Sequence, residues 1–538
     1  MTILINYTKP YFKLEFDKFN NEDLSIVRSL PVREYIKLEK CWKVHELAVR
    51  SLENIPAQWS LDAKKIARQI NNSILKLVDY KFSSNLNENG FKNVGGKTTP
   101  RDYQLIGINF LKKAKKALLA DDMGIGKTLQ AIYALLEVDT KKNLIVCPAT
   151  LKEKWAAEFE KHVGIKAVVI KGTKEDRIKL WNSKDKFLIS NYEQLVKDWS
   201  CIPKEWDAVV ADEVVFIKNH SSQRTKAIKK LKADRKIGLS GKPLETNLME
   251  FHSIMEWIRP EVIPSYNRFK FRYIVYGWNG KIERYENLDE LHNLTSPFIL
   301  RRKKEDVLKE LPPKIYFDYP IELSDKARTA YDAIKKEWLE WLYTQTGSNW
   351  GRDALTKTIR MRQFVEFPEI VGFNLPSVKL ELLKELYESV DKLVVFCCFV
   401  DTIKILQKYF DTPHILYGET RQEERFNIVN TFNNAEKGIF ILSDAGRFGL
   451  DIIGAHDIVQ FGNFWNPATM VQREDRLHRI GQINVVNVHS PIIMNTIDEG
   501  IREVFLKRGK EAEDFMEGSD KISRKSLTKA DYLKLVGN

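Results

Sequence analysis

Residues 118–132 read LLADDMGIGKTLQAI, and the fold follows from this stretch. An apolar run too short for a helix enters a turn containing Gly124 and Gly126. Lys127, Thr128 and an amphipathic run follow, which gives strand, loop and helix in order. Glycines let backbone N–H groups approach phosphate oxygens, and a helix N-terminus favours negative charge. Lys127 is therefore placed to reach β- and γ-phosphates, and Thr128 to ligate Mg2+. The general phosphate-loop pattern G-x-x-x-x-G-K-[ST] wants glycine where Asp121 stands. A glycine turn carrying a solvated lysine is the competing reading.

The texture around this stretch is that of a parallel sheet. From about Arg101, short β-branched runs alternate with amphipathic segments: KALLAD, NLIVCPA, KAVVIKG, KFLISN, DAVVADE and KIGLSG. Buried parallel strands with crossover helices have this signature. A second series begins near Lys392 with KLVVFCCF, HILYG, GIFILSD, DIVQFG and VVNVHS. A Trp- and Arg-rich region expected to be helical, from about Glu250 to Leu386, separates the two series. The expected division is an N-terminal accessory module over 1–95, a first α/β lobe over 96–310 and a helical connection over 311–386. A second α/β lobe over 387–510 and a charged tail over 511–538 follow. The stretch NLNENGFKNVGGKTTP before the first lobe reads as a linker.

The carboxylates needed beside a bound triphosphate are found in WDAVVADEVVFIKN. Its apolar strand delivers Asp212 and Glu213 at a C-terminal end, where α/β folds bind ligands. Asp212 would hold Mg2+ and Glu213 would polarise the attacking water. On its own, such a pair is more often a helix N-terminal charge; downstream of a phosphate loop, the functional reading is the better one.

Composition narrows the partner. The 538 residues carry 86 Lys and Arg against 73 Asp and Glu, a net charge of +13. A solvated Lys-rich surface or a polyanionic partner both fit, and nucleic acid is the natural polyanion for a chain without an amphipathic membrane anchor. No apolar run approaches the roughly 18 residues of a membrane span. MTILINYTKPYFK does not read as a secretory signal. Five cysteines without a C-x-x-C pair read as core residues of a reducing compartment rather than as a zinc or disulfide framework.

Four segments together, DDMGIGKT, DEVVFIKN, ILRRKKEDVLKELPPK and WNPATMVQREDRLHRIGQ, resemble the Swi/Snf-type ATPases of helicase superfamily two. The resemblance runs from about Thr99 to Arg508. It implies two RecA-like parallel-sheet lobes with a helical insertion and a small N-terminal α+β module. ATP and Mg2+ are the implied cofactors and duplex or forked DNA the implied partner, without membrane or histones. A cytoplasmic protein is implied, nucleoid-associated in a prokaryotic or phage context. In TPRDYQLIGINFL, Gln104 would read the adenine edge, with Arg101 beside it. LIVCPATLKEKWAAEF matches the first DNA-contacting motif at Lys154, Trp155 and Glu158, and SNYEQL supplies Tyr192. The W-N-P triplet puts Trp465 on DNA, and DAGRFGLD puts Gly449 beside the nucleotide. Gln472, Arg476 and Arg479 are expected on one helix, the two arginines facing one way as fingers for the γ-phosphate.

Three positions depart from that family's pattern. Val215 stands where a polar residue links the ATP site to the next motif. Lys242 replaces a threonine in the following turn, and Arg447 replaces a glycine. Hydrolysis is expected to persist, and its coupling to movement is in question. The segment YFKLEFDKFNNEDLSIVRSLPVREYIKLEKCWKVHEL is similar to the HARP module of annealing helicases, with Arg33, Tyr35, Lys40 and Trp42 at matching positions. A structural cap with Trp42 in its core is the alternative. The expected activity is that of a DNA-dependent ATPase and duplex translocase acting on branched DNA. A strand-separating helicase and a non-cycling DNA-binding protein are the competitors.

Overall fold

The computed structural model describes residues 3–16, 21–52, 55–79, 81, 96–138, 140–241, 243, 247–277, 282–344, 351–444, 450–463, 467–503 and 506. The chain forms two compact units, divided between Val307 and Leu308.

The first unit holds a seven-stranded parallel sheet. Its order is Ile299–Leu300, Lys116–Leu119, Lys232–Leu239, Glu205–Asp212, Asn143–Cys147, Phe187–Asn191 and Val168–Val169. Every described pairing in it is parallel. Both faces are covered, so the central strands are buried almost throughout, and the near-continuous Val, Ile, Leu and Ala runs follow from that. The six expected strands are all present. The seventh, Ile299–Leu300, lies inside the I-L-R-R motif and is too short to show a period of its own.

The N-terminal module belongs to the same unit. Its five-stranded sheet runs Glu34–Ile36, Cys41–His45, Tyr11–Phe16, Ile3–Thr8 and Gln58–Trp59, antiparallel except for the last strand. Ile3, Ile5, Phe12 and Leu14 alternate inward against Val27 and Ala63 of its two helices. Leu294 of the first lobe joins this core.

The second unit holds a six-stranded parallel sheet ordered Lys314–Ile321, Val486–Ile493, Asp457–Gln460, Lys392–Phe396, Gly438–Leu442 and Ile415–Leu416. Its edge strand Lys314–Ile321 corrects the expectation of a purely helical connection over 311–386. KIYFDYPI is mostly exposed and contains Pro320, features an edge strand tolerates and a buried strand does not. The helices Asp325–Thr344, Gly351–Glu366 and Val378–Ser389 follow it. Among the described residues no helix is long and apolar enough to cross a membrane. The expected tail over 511–538 and most of the expected linker lie outside the described residues.

Candidate nucleotide site

The strand Lys116–Leu119 ends in the loop that carries Gly124 and Gly126, and the helix Lys127–Leu136 begins at once. Both glycines are left-handed, with φ of 83° and 84°. A Cβ on Gly126 would lie 2.4 Å from Nε2 of Gln104, so the loop needs glycine for its turn and for its neighbour. The Lys127 ammonium donates to the carbonyls of Asp121 at 2.8 Å and Asp122 at 2.9 Å. Burial pulls its pKa down, and Glu213, Asp121, Asp212 and Asp122 pull it back up. Lys127 thus faces four carboxylates, two of which have a second cation, Arg302 on Asp121 and Lys154 near Asp212.

Gln104, expected at the adenine, is buried and committed to the loop. Its Nε2 donates to the Ile125 carbonyl at 3.2 Å, and its Oε1 accepts the Arg101 N–H at 2.9 Å. Tyr103 donates to the same Ile125 carbonyl at 3.1 Å. This places Gln104 as a strut beneath the phosphate loop; Arg101 is the exposed residue at the helix start.

Asp121, the departure from the general loop pattern, has its own partner. Its side chain is fully buried and takes both Nε and Nη2 of Arg302, with Nε at 3.1 Å. Gln130 completes the group by accepting from Arg302 at 2.8 Å and donating toward Asp121 at 3.4 Å. Gly107 makes the room: a Cβ there would stand 1.8 Å from Oε1 of Gln130. Arg302 lies in the R-R-K-K segment that carried the family resemblance without a role attached. Its signal was indirect: a buried Asp in a phosphate loop demands a cation.

Asp212 ends the strand Glu205–Asp212. Its Oδ2 accepts the Trp155 indole N–H at 2.8 Å, its Oδ1 accepts the Glu213 N–H at 2.9 Å, and its carbonyl accepts the Tyr192 hydroxyl at 2.7 Å. Burial raises its pKa. The resemblance put Trp155 and Tyr192 on DNA; here the structure corrects it. Trp155 is 2% exposed and Tyr192 is 0% exposed. Their polar edges are spent on Asp212, Trp155 on its carboxylate and Tyr192 on its backbone carbonyl, rather than on a strand. Lys154 is half-buried and lowers the pKa of the same Asp212. Glu158 holds His162 at 2.8 Å. Glu213 is buried and left-handed at φ 47°, a strained conformation for a side chain with a Cβ and one that clusters at functional sites.

Val215 is buried in the apolar core beside Val214 and Ile217. The next turn reaches the phosphate loop through backbone. The Ser240 N–H donates to Leu119, and Gly241 packs so near Met123 that a Cβ would stand 2.6 Å from its Cγ. Lys242, Arg447, Gly449 and Trp465 lie outside the described residues.

In the second unit the helix Pro467–Glu474 carries Gln472, but it ends before Arg476 and Arg479. The expected single helix is therefore corrected to a helix and the turns after it. The shared direction does not depend on the helix. Arg476 Nη1 and Arg479 Nη1 both donate to the Leu450 carbonyl, at 3.4 and 3.1 Å, and Arg479 pairs with Asp451. Arg473 is the fully buried residue of this group, bound to Asp444 at 2.7 Å and the Gly462 carbonyl at 2.8 Å.

The donor set fits ATP and Mg2+. The loop supplies a left-handed glycine turn at a helix N-terminus and a half-buried lysine. Thr128 and Asp212 supply hard oxygens of the kind Mg2+ takes alongside phosphates and water. No group of three His, Cys, Asp or Glu able to hold a metal by itself occurs among the described residues.

Residues 103–370 match the model of the SNF2-related domain, and residues 378–481 match the helicase conserved C-terminal domain. An uncharacterized ATP-dependent helicase of Mycoplasma pneumoniae is 33% identical over 430 residues, 76% of this chain and 41% of that protein. The ISWI chromatin-remodeling complex ATPase ISW2 of Saccharomyces cerevisiae is 27% identical, over 75% of this chain and 40% of its own length. This chain thus spans about two fifths of these curated relatives. The Sulfolobus solfataricus SWI2/SNF2 ATPase core in complex with dsDNA is 29% identical, covering 80% of this chain and 98% of that one at a TM-score of 0.40. With both domain models matched in order along one chain, the protein belongs to the SNF2-related, helicase-type ATPases.

Proposed function

We propose that this protein is a DNA-dependent ATPase that translocates on duplex DNA and remodels or anneals branched DNA such as replication forks. The observation that carries the ATPase reading is the half-buried Lys127 at a glycine loop, with Glu213, Asp121, Asp212 and Asp122 around it. ATP supplies the phosphoanhydride, and Mg2+ supplies charge neutralisation when bound. Lys127 leaves the loop carbonyls to hold the β- and γ-phosphates. Thr128 and Asp212 would hold the metal, with the Trp155 indole N–H fixing the Asp212 carboxylate and the Tyr192 hydroxyl fixing the Asp212 carbonyl. Glu213 would orient the attacking water. The net charge of +13 and the match to the SNF2-related and helicase C-terminal domains support DNA as the partner. The fork preference rests on the N-terminal module, with Arg33, Tyr35, Lys40 and Trp42 at the positions where it is similar to HARP.

The test is phosphate release with no nucleic acid, single strands, duplex, forks and RNA. Duplex and fork should stimulate most. Lys127→Ala should abolish release, and Glu213→Gln should keep nucleotide binding while cutting turnover at least a hundredfold. Unchanged turnover in Lys127→Ala would remove the site assignment. Tight DNA binding with no hydrolysis under any condition would favour a non-cycling DNA-binding protein.

A further inference from the structure

The joint between the N-terminal module and the first lobe carries a cluster of arginines that the nucleotide chemistry does not use. The turn after Leu30 presents Arg33, whose Nη1 donates to the Leu30 carbonyl and whose guanidinium lies 5.6 Å from the centre of the Trp42 ring. The helix Tyr266–Tyr273 of the first lobe reaches the same turn. Arg268 donates to the Arg33 carbonyl, and Arg272, one turn on, forks onto Glu290. Arg28 closes the group from the last turn of the helix Asn21–Ser29.

Charge here is not balanced. Nε of Arg33 is buried and has no hydrogen-bond acceptor within reach among the described residues. Burial, then Arg268, Arg272 and Arg28, lower the Arg33 pKa to about 10, and no carboxylate stands among the causes. Four guanidiniums converge, and among the described residues only Arg272 of the group has a carboxylate ion pair. A buried, unpaired N–H on a guanidinium facing other guanidiniums is a donor set for a phosphate or a similar oxyanion.

Aromatic rings flank the cluster. Tyr35 is 45% exposed and sits 5.0 Å from the Trp42 ring, and Phe271 on the lobe helix is 88% exposed. Exposed rings beside a phosphate site suit a strand that carries a base next to each phosphate. They add nothing for a free phosphate ion.

We propose that Arg33, Arg268 and Arg28 bind a backbone phosphate of single-stranded DNA, with an adjacent base stacked on Tyr35, at a site shared by the N-terminal module and the first lobe. This inference rests on the reading of DNA as the partner and locates the single-stranded arm of a branched substrate. It places that arm on the same compact unit as the phosphate loop.

The experiment omits ATP, which separates it from the hydrolysis reading. A fluorescein-labelled thymidine oligonucleotide, an abasic oligonucleotide of equal length and inorganic phosphate at matched ionic strength serve as probes with the full chain. Tyr35→Ala should weaken the thymidine strand about tenfold and leave the abasic strand unchanged. Arg28→Gln and Arg33→Gln should weaken both strands and reduce the log–log salt slope by about 0.7, the loss of one single-strand phosphate contact. Arg33→Lys should keep the slope and lose part of the affinity, because an ammonium lacks the fork. Arg33→Gln touches a packed turn, so the exposed Arg28→Gln and Tyr35→Ala carry the decision if it fails to fold. Wild-type affinity in both of those variants overturns the proposal. So does competition by inorganic phosphate with no effect of either variant on the strands, which would make this a free-phosphate site.

Discussion

At the residue scale, the clearest result is the reassignment of Trp155. An indole with 2% exposure whose N–H lies 2.8 Å from Asp212 is spent on that carboxylate, not on a DNA surface. Trp155→Phe keeps the ring in the core beside Phe159 and removes only the donor. It should lower kcat roughly tenfold, while DNA affinity without ATP stays at the wild-type value. A loss of DNA affinity with kcat intact would restore the surface role. Val215 poses a different question. Its motif neighbour in the family is polar, but here the side chain is packed among apolar residues. Val215→His would therefore bury an imidazole in a space shaped for two methyl groups. A cost of about 2 kcal/mol is expected, read as a lower thermal midpoint, with no gain in duplex movement per ATP unless Lys242→Thr and Arg447→Gly are changed with it. These residues were legible by type and spacing. What the sequence could not show was which of their atoms were already satisfied, because burial and hydrogen-bond partners come from strands far apart in the chain.

At the scale of elements, the segment Ile299–Lys304 has a function its length conceals. It forms the edge strand beside the phosphate-loop strand and is stitched to the loop itself. Ala120 N–H donates to Leu300, Asp122 N–H to Arg302, and Lys304 N–H to the Asp122 carboxylate at 2.9 Å. Arg302 then grips Asp121, whose carbonyl receives the Lys127 ammonium. Residues 299–304 of the first unit are thereby hydrogen-bonded to the loop that would hold the β-phosphate. Sequence reading found the R-R-K-K segment by resemblance but saw no strand there, since a two-residue strand has no period. Arg302→Gln leaves Asp121 buried without its cation. It should raise KM for ATP and destabilise the first unit by about 3 kcal/mol, the cost of breaking one buried pair. Arg302→Lys restores the charge without the fork and should recover stability more than KM. Equal recovery of both would make the contact structural alone.

For the whole molecule, the two sheets were readable because parallel strands buried on both faces are written as unbroken apolar runs. The edge strand Lys314–Ile321 was not, because an edge strand exposes most of its residues and looks like a polar connection. The same division into two units makes their stabilities separable by pH. In the first unit, Lys236 sits on a sheet strand with its ammonium 3.1 Å from the Trp257 carbonyl and Lys116 nearby. Burial first, then Lys116, lower its pKa from 10.5 to about 8. A lysine with a lowered folded pKa holds fewer protons folded than unfolded between those two values. The unfolded chain binds the extra proton there, so stability rises with pH across that window. Lys81, also lowered to about 8 by burial with Arg50 nearby, adds to the same trend. In the second unit the buried Glu366, held by Thr402 at 2.6 Å, has a pKa raised by burial. Its contribution is present at low pH and is lost as pH rises through the raised value. Calorimetry of the full chain from pH 7 to 9.5 should move the first unit's transition upward. Lys236→Met should raise that transition at pH 7 and flatten its rise toward pH 9.5, with the second unit's transition unmoved. A first-unit midpoint that falls over this range in the wild type, or that climbs equally in Lys236→Met, would show that the Lys236 ammonium is not held in the low-dielectric setting its neighbours describe.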